Sequence, residues 1–179
     1  MIAYRQPDNL RKLICRAKLY NVGNFKTKRQ TRTDAPGWSN CQTNCKICPY
    51  TLPKCTVLHG LVSKETQIIK QNVNCNSNNC IYYWRCVKEN CKEHPEIEYI
   101  GKTKRKFKDR FAEHRDYVKS ENLTQPAGEH FNSKGHSVAH LKGMVVEKVS
   151  NRDPFILETR EKMYIQKFDT FNHGLNKEA

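Results

Sequence analysis

With 179 residues and a mass of 21.0 kDa, the chain has room for one domain of ordinary size and a small satellite, which excludes a large multidomain enzyme. Its 32 Lys and Arg against 18 Asp and Glu give a formal charge of +14, which suits a polyanionic partner and makes nucleic acid the first candidate. Hydrophobic residues make up only 37% of the chain, so something besides core burial is expected to hold the fold, and nine cysteines are the resource at hand.

The opening MIAYRQPDNLRKLICRAKLY has no apolar run long enough for a secretory signal or a membrane span, so an intracellular protein is expected. In a reducing compartment, cysteines at ligand spacing are read as zinc sites before disulfides, and an odd cysteine total argues the same way. Residues 1–40 carry nine Lys and Arg against Asp8 and Asp34. Leu10, Leu13, Ile14 and Ala17 fall at helical spacing and predict a short helix over 9–20, in which Cys15 reads as a small core residue. NVGNFKTKRQTRTDAPGWSN then reads as a basic linker, either a solvated tether or an arm that tracks phosphates.

At Cys41 the character changes. CQTNCKICPYTLPKC puts four cysteines into fifteen residues and predicts a small metal-bound knuckle. Cys41, Cys45 and Cys48 supply three ligands; a structural zinc normally takes four, and the fourth is Cys75, Cys55 or His59, in that order of preference. Residues 56–79 are polar, with TQIIK as a short strand. The segments so divided are 1–40, basic helix and linker; 41–79, Cys-rich and zinc-binding; and 80–179, the folded domain.

In that last part CIYYWRC and EIEYIGK are rich in aromatic and β-branched residues and predict an antiparallel hairpin with a long tip. KFKDRFAEHRDYVKS predicts a helix, LKGMVVEKVS a third strand, and RDPFILETREKMYIQKF a second helix with Asp153 as N-cap and Pro154 in its first turn. The order is ββαβα. On the first helix Phe107, Phe111, His114 and Val118 form one stripe, interrupted by His114; on the second Leu157, Glu161, Tyr164 and Phe168 do the same, interrupted by Glu161. A polar group on such a stripe is paired, exposed at its edge, or part of a site, because burying it alone costs about 2 kcal/mol or more. Each alone is more often a satisfied or exposed side chain. Together with Arg110 and Tyr99 they make a set that phosphodiester hydrolysis can use: a phosphate brace, a proton-transfer group and a carboxylate for a divalent ion.

CIY (80–82), YIG (99–101), R-x3-H (Arg110, His114), E-x-x-Y-I from Glu161, and GLN (174–176) resemble the ordered motifs of the GIY-YIG nucleases. AYRQPDNLRKLICRAKLY and C-x3-C-x2-C-P, from Cys41, extend the resemblance to the endonuclease end of Penelope-like retroelement polyproteins. Cys80 stands where the family name has Gly, and the sixteen residues 83–98 make a longer insert than usual.

The resemblance implies an α+β fold, a small central mixed or antiparallel sheet flanked by helices, with the Cys-rich zinc-binding segment before it. It implies a DNA endonuclease with a single Mg2+ or Mn2+, in which Tyr82 activates or positions water, Arg110 clamps phosphate with support from Tyr99, and His114 transfers a proton or contacts phosphate. Glu161 would hold the ion, with Glu158 one turn earlier as the alternative, and Asn176 would anchor the site. The same resemblance implies a structural zinc on Cys86, Cys91, His130 and His136. Lys102, Lys104, Arg105, Lys106 and Lys108 would form the DNA approach surface. The implied partners are DNA, then element RNA or a reverse transcriptase; the implied location is the nucleus. Two rival readings are a zinc-stabilised nucleic-acid-binding module without cleavage, and a host structure-specific repair nuclease.

Overall fold

The computed structural model describes residues 36–41, 44–91, 97–133, 135–150 and 153–177. The helix expected over 9–20 and most of the linker after it lie outside these residues. The chain divides into two units, Met1–Thr33 and Asp34–Ala179, and the described residues all belong to the second. It is a mixed α and β structure with small sheets and few helices.

The centre is a three-stranded antiparallel sheet of β5 (Cys80–Cys86), β6 (Glu98–Thr103) and β7 (Leu141–Lys148), in the order β6-β5-β7. CIYYWRC takes the middle place, and all of it but Arg85 is buried. A strand covered on both faces reads as a near-continuous apolar run. Its alternation still sorts the neighbours: Tyr82 meets Phe107 of α1 (Phe107–Lys119) at 5.8 Å between ring centroids, whereas Tyr83 meets Phe168 of α3 (Pro154–Phe168) at 6.3 Å. The helices therefore cover opposite faces of the sheet.

The four residues that α1 buries are Phe107, Phe111, His114 and Val118, the stripe seen in the sequence. The start of α3 also follows from local chemistry, since the Asp153 carboxylate accepts from the Phe155 amide at 2.9 Å and Pro154 occupies the first turn. Between α1 and β7 lies a short helix α2 (Pro126–Phe131), absent from the sequence reading because six residues are too few to show a period. The two-residue strands β1 (Gly37–Trp38) and β4 (Asn72–Val73) were equally invisible; β2 (Val57–His59) pairs with β3 (Thr66–Ile68), which holds the TQI of TQIIK.

Segments 41–79 and 80–179 pack against each other. Both lie in one compact unit. Leu52 donates its amide to Gly143 O at 3.0 Å on the sheet edge, and Trp38, fully buried, packs edge-on against Phe107 at 5.7 Å. A three-stranded sheet leaves apolar edges and ends uncovered, and these residues cover them. Among the described residues no helix is long and apolar enough to cross a membrane.

Candidate functional site

Tyr82, in the middle of β5, has no exposed surface, and its hydroxyl lies 2.7 Å from His114 Nε2 and accepts from Arg110 Nε at 3.2 Å. Directly across the ladder is Gly101. A Cβ there would lie 2.5 Å from Tyr82 Oη and 2.8 Å from Tyr99 Cε1, so only glycine leaves room for the tyrosine. Tyr99 stacks on Trp84 at 4.9 Å and presents its ring to His114 at 5.7 Å. The glycine of YIG thus makes the space in which the tyrosine of CIY meets the arginine and histidine of α1.

Burial sets the protonation states. It pushes His114 down to about 3, helped by the neighbouring Arg110 charge, so the imidazole is neutral at physiological pH. Its Nδ1 is buried and has no hydrogen-bond partner among the described residues. Burial and the nearby Tyr99 push Tyr82 well above the ordinary tyrosine range, against the pull of Arg110. The resting pair is a neutral phenol bonded to a neutral imidazole. Burial opposes the Arg110 charge, but Tyr82 and Glu113 more than offset it.

Glu113 is a participant that the sequence reading missed. Its carboxylate takes Arg110 at 2.8 Å and Arg105 at 2.5 Å, and the Arg105 hydrogen bond, with Arg110 adding, holds it down to about 2. The signal was present as an i, i+3 acid–base pair on one helix face. Both proposed phosphate contacts, Arg105 and Arg110, therefore share one carboxylate.

Glu161 reaches in from α3. Its Oε2 accepts from Lys102 Nζ at 2.6 Å, with 16% of its side chain exposed. Lys102, expected on the approach surface, is thus the partner of the expected metal ligand. A cavity of about 370 Å³ is lined by Lys102, Thr103, Lys104, Arg105 and Arg110 on one side and by Pro154, Leu157 and Glu158 on the other. Arg110 from α1 and Glu158 from α3 thus share one cleft around the end of β6. Lys106 is exposed and Lys108 half-buried at the start of α1.

Asn176 does not reach this cleft. Its Oδ1 accepts from Ile100 N at 3.0 Å and its Nδ2 donates to Ile100 O at 2.8 Å, so both polar atoms pin the outer edge of β6. It anchors the edge of β6 one residue from Tyr99. A second carboxylate outside the sequence reading does similar work: Glu98, fully buried, accepts from Leu61 N at 2.8 Å, Val62 N at 3.3 Å and Tyr83 Oη at 2.5 Å.

Two groups of side chains could hold a metal ion such as zinc. Cys41, Cys45, Cys48 and Cys75 have their sulfurs within 4.8 Å of one another, and Cys86, Cys91, His130 and His136 have their donor atoms within the same span. Cys48 Sγ lies 3.5 Å from both Cys41 Sγ and Cys75 Sγ. That is far beyond a disulfide length of about 2.05 Å and near the edge of about 3.8 Å expected between thiolates tetrahedral about zinc. The donor chemistry fits zinc in both groups, four sulfurs in one and two sulfurs with two imidazoles in the other.

Cys75 is the fourth member upstream, not Cys55, whose Sγ lies 4.0 Å from Met144 Sδ, nor His59. Cys80, buried, bonds Ser77 O at 3.7 Å. In the second group Cys91 Sγ lies 3.5 Å from His130 Nε2, and Ser133 Oγ lies 3.0 Å from His136 Nδ1, orienting the ring. Burial pushes the Cys86 thiol up to about 11, with Cys91 adding, and a bound cation reverses that preference by stabilising thiolate.

The upstream group is also attached to the cleft. α1 has no side-chain cap; instead Phe107 N donates to Ser77 O at 2.8 Å and Lys108 N to Cys75 O at 3.0 Å. The Cys75 turn therefore sets the start of the helix that carries Arg110 and His114. Among known proteins, the chain matches no family model, no curated protein and no solved structure.

Proposed function

We propose that the chain is a metal-dependent DNA endonuclease of the GIY-YIG kind, similar to those of Penelope-like retroelements. The observation that carries this reading is the meeting of Tyr82, Arg110 and His114 at one hydroxyl, beside a basic cleft that a carboxylate helix closes. Binding alone requires no such buried relay. Arg110, released from Glu113, braces two phosphoryl oxygens with its planar fork. Tyr82 takes a proton from water as it passes its own to neutral His114, so no isolated phenolate has to form in the buried site.

Glu161, with Glu158 on the same helix, offers the oxygen ligands that Mg2+ or Mn2+ takes alongside phosphate oxygens and water, provided that Lys102 yields its place. Such an ion, when bound, stabilises charge on the scissile phosphate and on the leaving oxygen. DNA, with element RNA or a reverse transcriptase as further partners, and a nuclear location belong to the same proposal; the charge of +14 supports the polyanion.

One observation favours a second reading, a binding module without cleavage: Tyr82 has no exposed surface, so water meets its hydroxyl only after Arg110 or a neighbour moves. Plasmid nicking separates the two. Zinc-loaded protein with Mg2+ or Mn2+ is expected to cut, and Arg110→Ala and Glu161→Ala to stop cutting while the far-UV spectrum and zinc content stay unchanged. Undiminished cutting by both variants, or none by the parent protein, would overturn the assigned chemistry.

A further inference from the structure

We propose that a second cavity, at the end of the sheet, is a phosphate subsite through which the nucleic-acid backbone continues beyond the cleft; this rests on the nucleic-acid reading above. The cavity encloses about 620 Å³ and is lined by Asn78, Asn79, Lys104, Lys148, Val149 and Ser150. It lies where β5 begins and where β6 and β7 finish: Cys80 pairs with Thr103 on one side and Lys148 on the other. Lys104 lines this cavity and the cleft of Arg110 alike, so the two share a wall. The chain after β7 lines both as well, through Ser150 in one and Pro154 in the other.

The lining selects an anion. The described lining residues carry two ammonium groups, the Ser150 hydroxyl and two asparagine amides, one of them held to Val149 O, and no carboxylate is among them. Lys102, Arg105 and Arg110 in the cleft each have an acidic partner, whereas neither Lys104 nor Lys148 forms an ion pair among the described residues. These two charges are left for something outside the fold.

The frame is already in place. Asn79 adopts φ +47°, a left-handed conformation that asparagine tolerates, and its Nδ2 donates to Val149 O at 2.6 Å. Val149 N donates to Asn79 O at 2.8 Å and Asn79 N to Lys104 O at 3.2 Å. Three segments are thus laced together before any ligand arrives, so binding orders only the side chains. A lone anion gains from one cavity; a nucleic-acid strand gains from both and from the lysine between them.

The test is duplex-DNA binding by fluorescence anisotropy, with zinc-loaded protein in buffer that holds neither Mg2+ nor chelator, as a function of salt. Each phosphate contact contributes a slope of about −0.9 in log K against log salt, or about 3.5-fold in affinity between about 50 and 200 mM. Lys104→Gln and Lys148→Gln are each expected to make the slope shallower by about that amount. Lys119→Gln, at the far end of α1, is expected to leave it unchanged. An unchanged slope in Lys148→Gln would overturn the subsite whatever Lys104→Gln does, because Lys104 also lines the cleft. So would inorganic phosphate that binds through Lys148 yet leaves DNA affinity unchanged at matched ionic strength, since the cavity would then be a free-anion site. Shallower slopes from a protein that never cuts keep the subsite and remove the nuclease reading; cutting with unchanged slopes does the reverse.

Discussion

His114 should make the fold sensitive to acid. Its imidazole is 2% exposed and enclosed by Tyr82, Trp84 and Tyr99 from the strands and by Arg110, Glu113 and Tyr117 from its own helix. Its folded pKa, about 3, lies below the ordinary 6.5, so the unfolded chain binds the proton more tightly. The stabilisation from keeping it neutral is complete above pH 6.5 and is lost as pH falls toward 3. Between about pH 7 and pH 4.5 the linkage amounts to about 2.5 kcal/mol for this one group. Urea unfolding of the zinc-loaded protein at both pH values, compared with His114→Gln, isolates it. The zinc ligands titrate in both proteins and cancel in the difference. Glutamine can still bond the Tyr82 hydroxyl and does not titrate, so the variant should lose about 2.5 kcal/mol less on acidification. Equal losses in the two proteins would refute a buried neutral imidazole.

Gly101→Ala should cost about 1–3 kcal/mol in urea unfolding, because the new methyl group must push the Tyr82 ring off its bonds to His114 and Arg110. Unchanged stability would mean that the two strands do not approach so closely. Metal analysis should find zinc in both Cys-containing groups, and Cys75→Ser should lose the upstream one. Hydrogen exchange at the Phe107 and Lys108 amides should quicken in Cys75→Ser and not in Cys91→Ser, since only the Cys75 turn caps α1. Equal protection in both variants would sever the knuckle from the helix start.

Much of the scaffold was legible because its signals are local. CIYYWRC, the stripes of α1 and α3, and the Asp153-Pro154 start each follow from the period or chemistry of adjacent residues, and their elements lie where the sequence places them. The upstream ligands Cys41, Cys45 and Cys48 are equally local. Cys75 was one of three open choices, since 27 residues separate it from Cys48 and no period links them.

Pairings across the fold were decided only in three dimensions. Asn176 and Glu161 both look like site residues in one dimension. Folding spends both polar atoms of Asn176 on the Ile100 edge and sets Glu161 against Lys102. Glu98 and Glu113 looked like ordinary charges, and packing makes one a buried anchor for a loop and the other the counter-ion of Arg110. Residue type and spacing along the chain determine which elements form and which chemistry is available. Which carboxylate meets which cation depends on the register of β5 against β6 and on the seating of α1 and α3 on opposite faces, set by the packing of residues far apart in sequence.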